Sequence, residues 1–405
     1  MKKTKQLLVL LLAVMLVTVS VVPAMAITSY TPIHLSVTTL DLKEILSVTE
    51  AGAQNPSVTY KLTLGDIQVY SSGGITYGDA NKVGGSADVN GKELASVTYT
   101  AGEIMGLNSK EKPYAYTGDI LDKINAMMFE RPGIYYWPIT KTKTGSDTKL
   151  TNFNRASVSN YGTALVIRID DVSGILTPTI GINVLEAVNT LGSNKNTVYE
   201  DNYPAKPGTL TIKKEVTGNQ GAKDQYFQFD VTLSGMTEHA GAKITIDAVE
   251  GNSVAGATLK YNEFTGTRNN TTGSPVEIDS AGQAVFTFWL KDGEQIKLEN
   301  IPTGSNTNPT HYQIVETITG SNTTGYTTTY VATTGSDVIN GSGLDTGVKD
   351  LSDTDSTRVV FKNDKASTVP TGIILQVAAP VAGIVLALAL LAVVMLSKKR
   401  SAARR

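Results

Sequence analysis

Three segments of this 405-residue chain each set one polar side chain into an otherwise apolar alternating row. Leu210, Ile212, Lys214 and Val216 share one face of an extended strand. Tyr312, Ile314, Glu316 and Ile318 share a face of a second, and Val359, Phe361 and Asn363 of a third. Successive strand side chains point to opposite faces, so a lysine, a glutamate and an asparagine stand on core-side registers. Burying the lysine and the glutamate separately costs several kcal/mol each unless they are paired or neutral. An amide bond between Lys214 and Asn363 removes that cost. Desolvation lowers the lysine and yields a neutral amine nucleophile. The same surroundings keep Glu316 protonated, so it polarises the Asn363 carbonyl and relays protons while ammonia leaves. Two other arrangements fit the same letters: Lys213 turned inward instead, or a buried ion pair with no bond.

Such a site needs strands to hold it. Runs of alternating residues recur between turn residues, as in 58–64, 209–216, 227–231 and 284–288, and read as antiparallel strands with one buried face. Many short strands predict an all-β chain of two tandem immunoglobulin-like sandwiches. A weak helical pattern over Tyr116 to Met128 predicts a turn or two. Pro204-Ala205-Lys206-Pro207-Gly208 stops one sheet before the next begins. The expected division is 27–205 for a first sandwich, 206–365 for a second and 366–405 for the C-terminal segment.

Both ends carry targeting patterns. Lys2, Lys3 and Lys5 precede an apolar stretch from Leu7 to Val22, and Ala24-Met25-Ala26 supplies small residues at the positions a signal peptidase needs. Residues 1–26 therefore read as a signal peptide cleaved after Ala26, the alternative being an uncleaved anchor. Gly372 to Leu396 is uncharged and long enough to span a bilayer as a helix, and Lys398-Lys399-Arg400 with Arg404-Arg405 fixes that end in the cytoplasm. Val369-Pro370-Thr371-Gly372 stands just before the span. Motif, span and basic tail in that order resemble the sorting signal of Gram-positive surface proteins. The resemblance implies a sortase that cleaves between Thr371 and Gly372 and passes Thr371 to an amine. Plain membrane anchoring is the other reading, and valine at the first position, where that family has leucine, leaves the sortase type open.

Composition excludes several classes. Without cysteine there are no disulfides, thiol nucleophiles or thiolate metal sites. Three scattered histidines, His34, His239 and His311, have no metal-ligand spacing. Eight of the 35 basic residues lie in the two end segments, which hold no acid, leaving 27 bases against 37 acids between them. That excess of acid argues against a nucleic-acid partner. No phosphate loop or hydrolase elbow occurs, so no cofactor, no metal and no enzyme activity beyond self-crosslinking are expected.

The motifs of the second half resemble the domains of streptococcal backbone pilins and their relatives. Leu210 to Asn219 is similar to their opening strand, Phe286 to Glu294 to their middle hairpin, Tyr312 to Glu316 to the glutamate strand and Val360 to Asn363 to the asparagine strand. By that resemblance Lys214, Glu316 and Asn363 are the bond-forming triad. The first half resembles a diverged copy. Leu40-Asp41-Leu42-Lys43 is similar to the lysine strand, Pro132 to Lys141 to the glutamate strand and Tyr199 to Tyr203 to the asparagine strand. Lys43, Lys141 and Asn202 would form a degenerate triad there. Lys141 stands where the family has glutamate, so no bond is expected, unless another acid such as Glu130 substitutes. Tyr203-Pro204-Ala205-Lys206 resembles the pilin motif that supplies the acceptor lysine, with one residue inserted, and Lys206 is equally an ordinary linker lysine. The expected function is a structural, wall-anchored pilin subunit on a Gram-positive surface. Its expected partners are sortase, other subunits or peptidoglycan, and the membrane before sorting. The alternative is a monomeric adhesin that binds a host or matrix ligand.

Overall fold

The computed structural model describes residues 29–366 apart from 73, 146–148, 154–161, 188–189, 248–275, 305–308 and 319–324, together with 384–396. Its elements are nearly all strands, arranged as two tandem β-sandwiches of immunoglobulin-like character. The weak helical pattern becomes a two-turn helix, Ile120–Ala126, which buries Ile120 and Ile124. Residues 384–396 are helical, and 372–383 lie outside the described residues. Among the described residues no helix is long and apolar enough to cross a membrane.

The first sandwich has a four-stranded sheet in the order Thr151–Phe153, Val198–Tyr203, Lys43–Val48, Asn108–Pro113. Against it lies a larger sheet whose centre is Thr163–Val172, Gly133–Thr144, Val58–Leu64 and Glu93–Tyr99. The core between them runs from Leu35 to Ala205 and includes Trp137, Tyr60 and Leu165. In the second sandwich one sheet centres on Gln295–Ile301, Gly208–Thr217, Thr357–Asp364 and Thr327–Thr334. The other is Ala284–Leu290, Phe227–Ser234, His311–Thr317, Lys349–Asp350. Its core runs from Leu210 to Phe361, with Phe229 stacked on Phe288 and edge-on to Phe361. In both units the opening strand pairs in parallel with the closing strand: Lys43–Val48 with Val198–Tyr203, and Gly208–Thr217 with Thr357–Asp364.

Alternation is strict where it matters. Gly208–Thr217 buries every second residue, as do His311–Thr317 and Thr357–Asp364. This period of two is the pleat expressed as burial, and it commits each strand's odd or even set to the core.

The sandwiches meet through hydrogen bonds around the turn after Lys43–Val48. Lys243 N donates to Gln54 Oε1 at 3.0 Å, and Ser57 N donates to the Glu238 carbonyl at 2.7 Å. Lys149 Nζ reaches Asp353 Oδ2 at 3.2 Å. Beneath these, Tyr203 Oη lies 3.2 Å from His239 Nε2, both side chains buried. Burial pushes the His239 imidazole down to about 4.

Candidate functional site

The opening strand of the second sandwich carries Lys214 inward because Leu210, Ile212 and Val216 claim the same face. A hairpin turn fixes its height: Lys214 N donates to the Glu294 carbonyl at 2.9 Å, and Gly293 N returns a bond to the Lys214 carbonyl at 2.9 Å. Asp292 Oδ1 accepts from Val216 N at 2.7 Å. Asn363 comes from the closing strand, where it faces Val216, two positions beyond Lys214 on the same side of the sheet. Glu316 comes from the opposite sheet.

The three side chains meet inside the core. Lys214, Glu316 and Asn363 are 0%, 1% and 0% exposed. Lys214 Nζ lies 2.7 Å from Glu316 Oε1, and Asn363 Nδ2 donates to that same oxygen at 2.7 Å. Among the described residues Glu316 Oε2 has no hydrogen-bond partner. Below the amine sits the Phe227 ring, 4.4 Å from Nζ to the centroid. Burial lowers the Lys214 ammonium to about 8, with Glu316 pulling the other way. Burial likewise raises the Glu316 carboxyl, opposed by Lys214 and the Asn363 amide. Both shifts favour the uncharged pair, a free amine beside a carboxylic acid.

Thr328 adds a group that alternation in the sequence did not single out. Its hydroxyl donates to Asn363 Oδ1 at 2.8 Å, from the strand on the other side of Thr357–Asp364. A donor on that carbonyl oxygen withdraws electrons from the carbon an amine would attack. The signal was available only in three dimensions, because Thr328 lies in a threonine-rich run that reads as ordinary strand.

In the first sandwich the expected set changes by one residue on two strands. Lys43 is half exposed and pairs with Glu111 at 2.9 Å, and Asn202 is also off the buried row. The core face carries Glu44 and Asp201 instead, both 0% exposed, because Leu42, Leu46 and Val48 point in on one strand and Tyr199 and Tyr203 on the other. Lys141 does face them from the opposite sheet: its Nζ lies 2.7 Å from Glu44 Oε1 and 3.2 Å from Asp201 Oδ1. Glu130 is at the surface beside Lys82. Lys206 is exposed at the junction between the sandwiches. Ala24, Ala26, Val369, Pro370, Thr371 and Gly372 lie outside the described residues. No group of metal-ligating side chains occurs among the described residues.

Over 302 residues, 74% of this chain and 75% of the relative, the sequence is 26% identical to a protein named Pilin from Streptococcus pyogenes serotype M1. The chain is pilin-like. Residues 208–365 of this pilin-like chain match a family described as a domain of unknown function (DUF7601). Among solved structures, the major pilin of Streptococcus pyogenes aligns over 82% of this chain and 100% of its own, at 20% identity and a TM-score of 0.47. The major pilin T3.2 of serotype GAS13637 aligns over 81% and 99%, at 18% identity and a TM-score of 0.45.

Proposed function

We propose that this chain is a structural pilin subunit whose second sandwich is locked by an amide bond between Lys214 and Asn363. The observation that carries the reading is the buried contact of Lys214 and Asn363 with one oxygen of Glu316. Lys214 Nζ attacks Asn363 Cγ, the new C–N bond forms, and the side-chain nitrogen of Asn363 leaves as ammonia. Glu316, starting as the carboxylic acid, gives its proton to the departing nitrogen and takes one from the attacking nitrogen, so it ends as it began. The bond ties the opening strand to its closing neighbour and encloses a loop whose entropy alone is worth about 5 kcal/mol.

The rest of the reading concerns placement. Residues 1–26 direct export, 27–205 and 206–365 form the displayed sandwiches, and 366–405 carry the sorting signal. A sortase cleaves after Thr371 and joins it to an amine on the next subunit or on peptidoglycan. Lys206, exposed between the two sandwiches, is the acceptor on the subunit. The likeness to a streptococcal pilin supports assembly with other subunits rather than catalysis.

Intact mass of the purified full-length chain tests the crosslink. Relative to its sequence after any terminal processing, the wild type is expected to lack one ammonia that Glu316→Ala regains. A wild-type mass with no ammonia missing would sink the bond. Sortase-dependent ladders on a denaturing gel that vanish in Lys206→Arg would support the shaft role, and ladders unchanged by that substitution would remove Lys206 from it.

A further inference from the structure

The first sandwich repeats the arrangement of the second with two residue types exchanged. Asp201 faces Leu46 in the parallel pair, two positions beyond Glu44, as Asn363 faces Val216 two positions beyond Lys214. Lys141 projects from the facing sheet, where the second sandwich has Glu316. The acid therefore sits on the opening strand and the amine on the facing strand.

The cluster is built and buried. Glu44 and Asp201 are 0% exposed and the Lys141 side chain 10%. Tyr114 Oη donates to Glu44 Oε2 at 2.5 Å, so both Glu44 oxygens are engaged. The rings of Tyr60 and Tyr199 flank the amine, 4.5 and 5.6 Å from Nζ to their centroids. One ammonium cannot neutralise two carboxylates, so the group as drawn carries excess negative charge in an apolar core. Burial, with the nearby Asp201 charge adding to it, pushes the Glu44 carboxyl up to about 7 against the pull of Lys141. A proton is thus held where two acids meet one amine.

We propose that Lys141 is joined to Asp201 by an amide bond, with Glu44 moving the protons. Lys141 Nζ attacks Asp201 Cγ, the carboxyl oxygen leaves as water, and the C–N bond replaces the C–O bond. Glu44 first relays one ammonium proton to the Asp201 carboxylate, leaving an amine and a carboxylic acid. It then takes a second proton from the attacking nitrogen and gives it to the departing hydroxyl, so ammonium and carboxylate become amide and water with no other reactant. Asp201 is the electrophile because it holds the closing-strand place that Asn363 holds in the second sandwich, while Glu44 is pinned by Tyr114 and available to shuttle. The reaction removes both charges of the reacting pair from the core, which a buried ion pair cannot do. The product differs in direction from the bond of the second sandwich: it links the two facing sheets.

The leaving group makes the two sites separable in one measurement. The full-length chain is expected to lack one water in addition to one ammonia. Glu316→Ala should regain the ammonia and still lack the water, and Glu44→Gln should regain the water and still lack the ammonia. Protease mapping of the wild type should yield a branched peptide joining the segment with Lys141 to the segment with Asp201. A wild-type chain with no water missing, or a branch ending at Glu44, overturns the proposal. Should Glu44→Gln fail to fold, the wild-type map decides alone. A chain lacking water but no ammonia would uphold this site and remove the Lys214 bond.

Discussion

Thr328 brings one buried hydroxyl to the proposed crosslinking site. Its hydrogen bond to Asn363 Oδ1 points at the oxygen that gains charge when an amine adds to the amide. Thr328→Val keeps the shape and removes that donor. Crosslinking is expected to slow by roughly tenfold or more, the usual cost of losing one donor aimed at a developing oxyanion. The ammonia deficit followed by mass at intervals after a short induction pulse measures this. An unchanged rate would mean that the Thr328 hydroxyl does not assist the attack on the amide.

Strand parity decides which of two adjacent residues reaches a core, and the two sandwiches teach that differently. In Gly208–Thr217 the apolar row Leu210, Ile212, Val216 selects Lys214 over Lys213, so this site was legible from alternation. The same test applied to Leu42, Leu46 and Val48 selects Glu44, and Tyr199 with Tyr203 selects Asp201. Family likeness pointed instead to Lys43 and Asn202, because it expects lysine on an opening strand and asparagine on a closing one. Physical periodicity carried the information and the motif overrode it. Facing across a sandwich is harder to read, since nothing local in Gly133–Thr144 says that Lys141 meets two acids from the other sheet. The turn after the opening strand offers a test at this scale. Gly218 has φ +87°, and a Cβ there would stand 2.3 Å from the Lys365 carbonyl oxygen. Gly218→Ala is expected to cost roughly 2 kcal/mol or more, from the left-handed backbone and the clash together. Denaturant unfolding in the Glu316→Ala background, where no bond masks the loss, reads it. An unshifted midpoint would show that the turn relaxes without disturbing the end of the closing strand.

Across the whole molecule the two sandwiches are coupled through a buried histidine. His239 contacts Tyr203, the last residue of the first unit's closing strand, with Glu238 and Lys149 as the charged groups acting on it. Its pKa in the fold is about 4, below the ordinary value of 6.5, so between those values the unfolded chain binds a proton that the folded chain refuses. Stability is therefore complete above pH 6.5 and falls as the pH drops toward 4. By about pH 5 the loss should reach roughly 2 kcal/mol, with Glu238 softening it and Lys149 adding to it. Thermal melts across that range should slope for the wild type and flatten for His239→Gln. Parallel slopes for the two would place the acid sensitivity elsewhere.

The parallel pairing of opening and closing strands has a consequence for damage. If Lys214 is joined to Asn363 as proposed, the covalent path through a subunit steps from one strand to its neighbour. A peptide bond cut anywhere between Glu215 and Lys362 would leave the fibre in one piece. The corresponding bypass in the first sandwich, from Lys141 to Asp201, would shelter only the chain between those two residues. Cleavage before Lys141 would sever the subunit there, so the two units of one chain would differ in how many proteolytic cuts they survive.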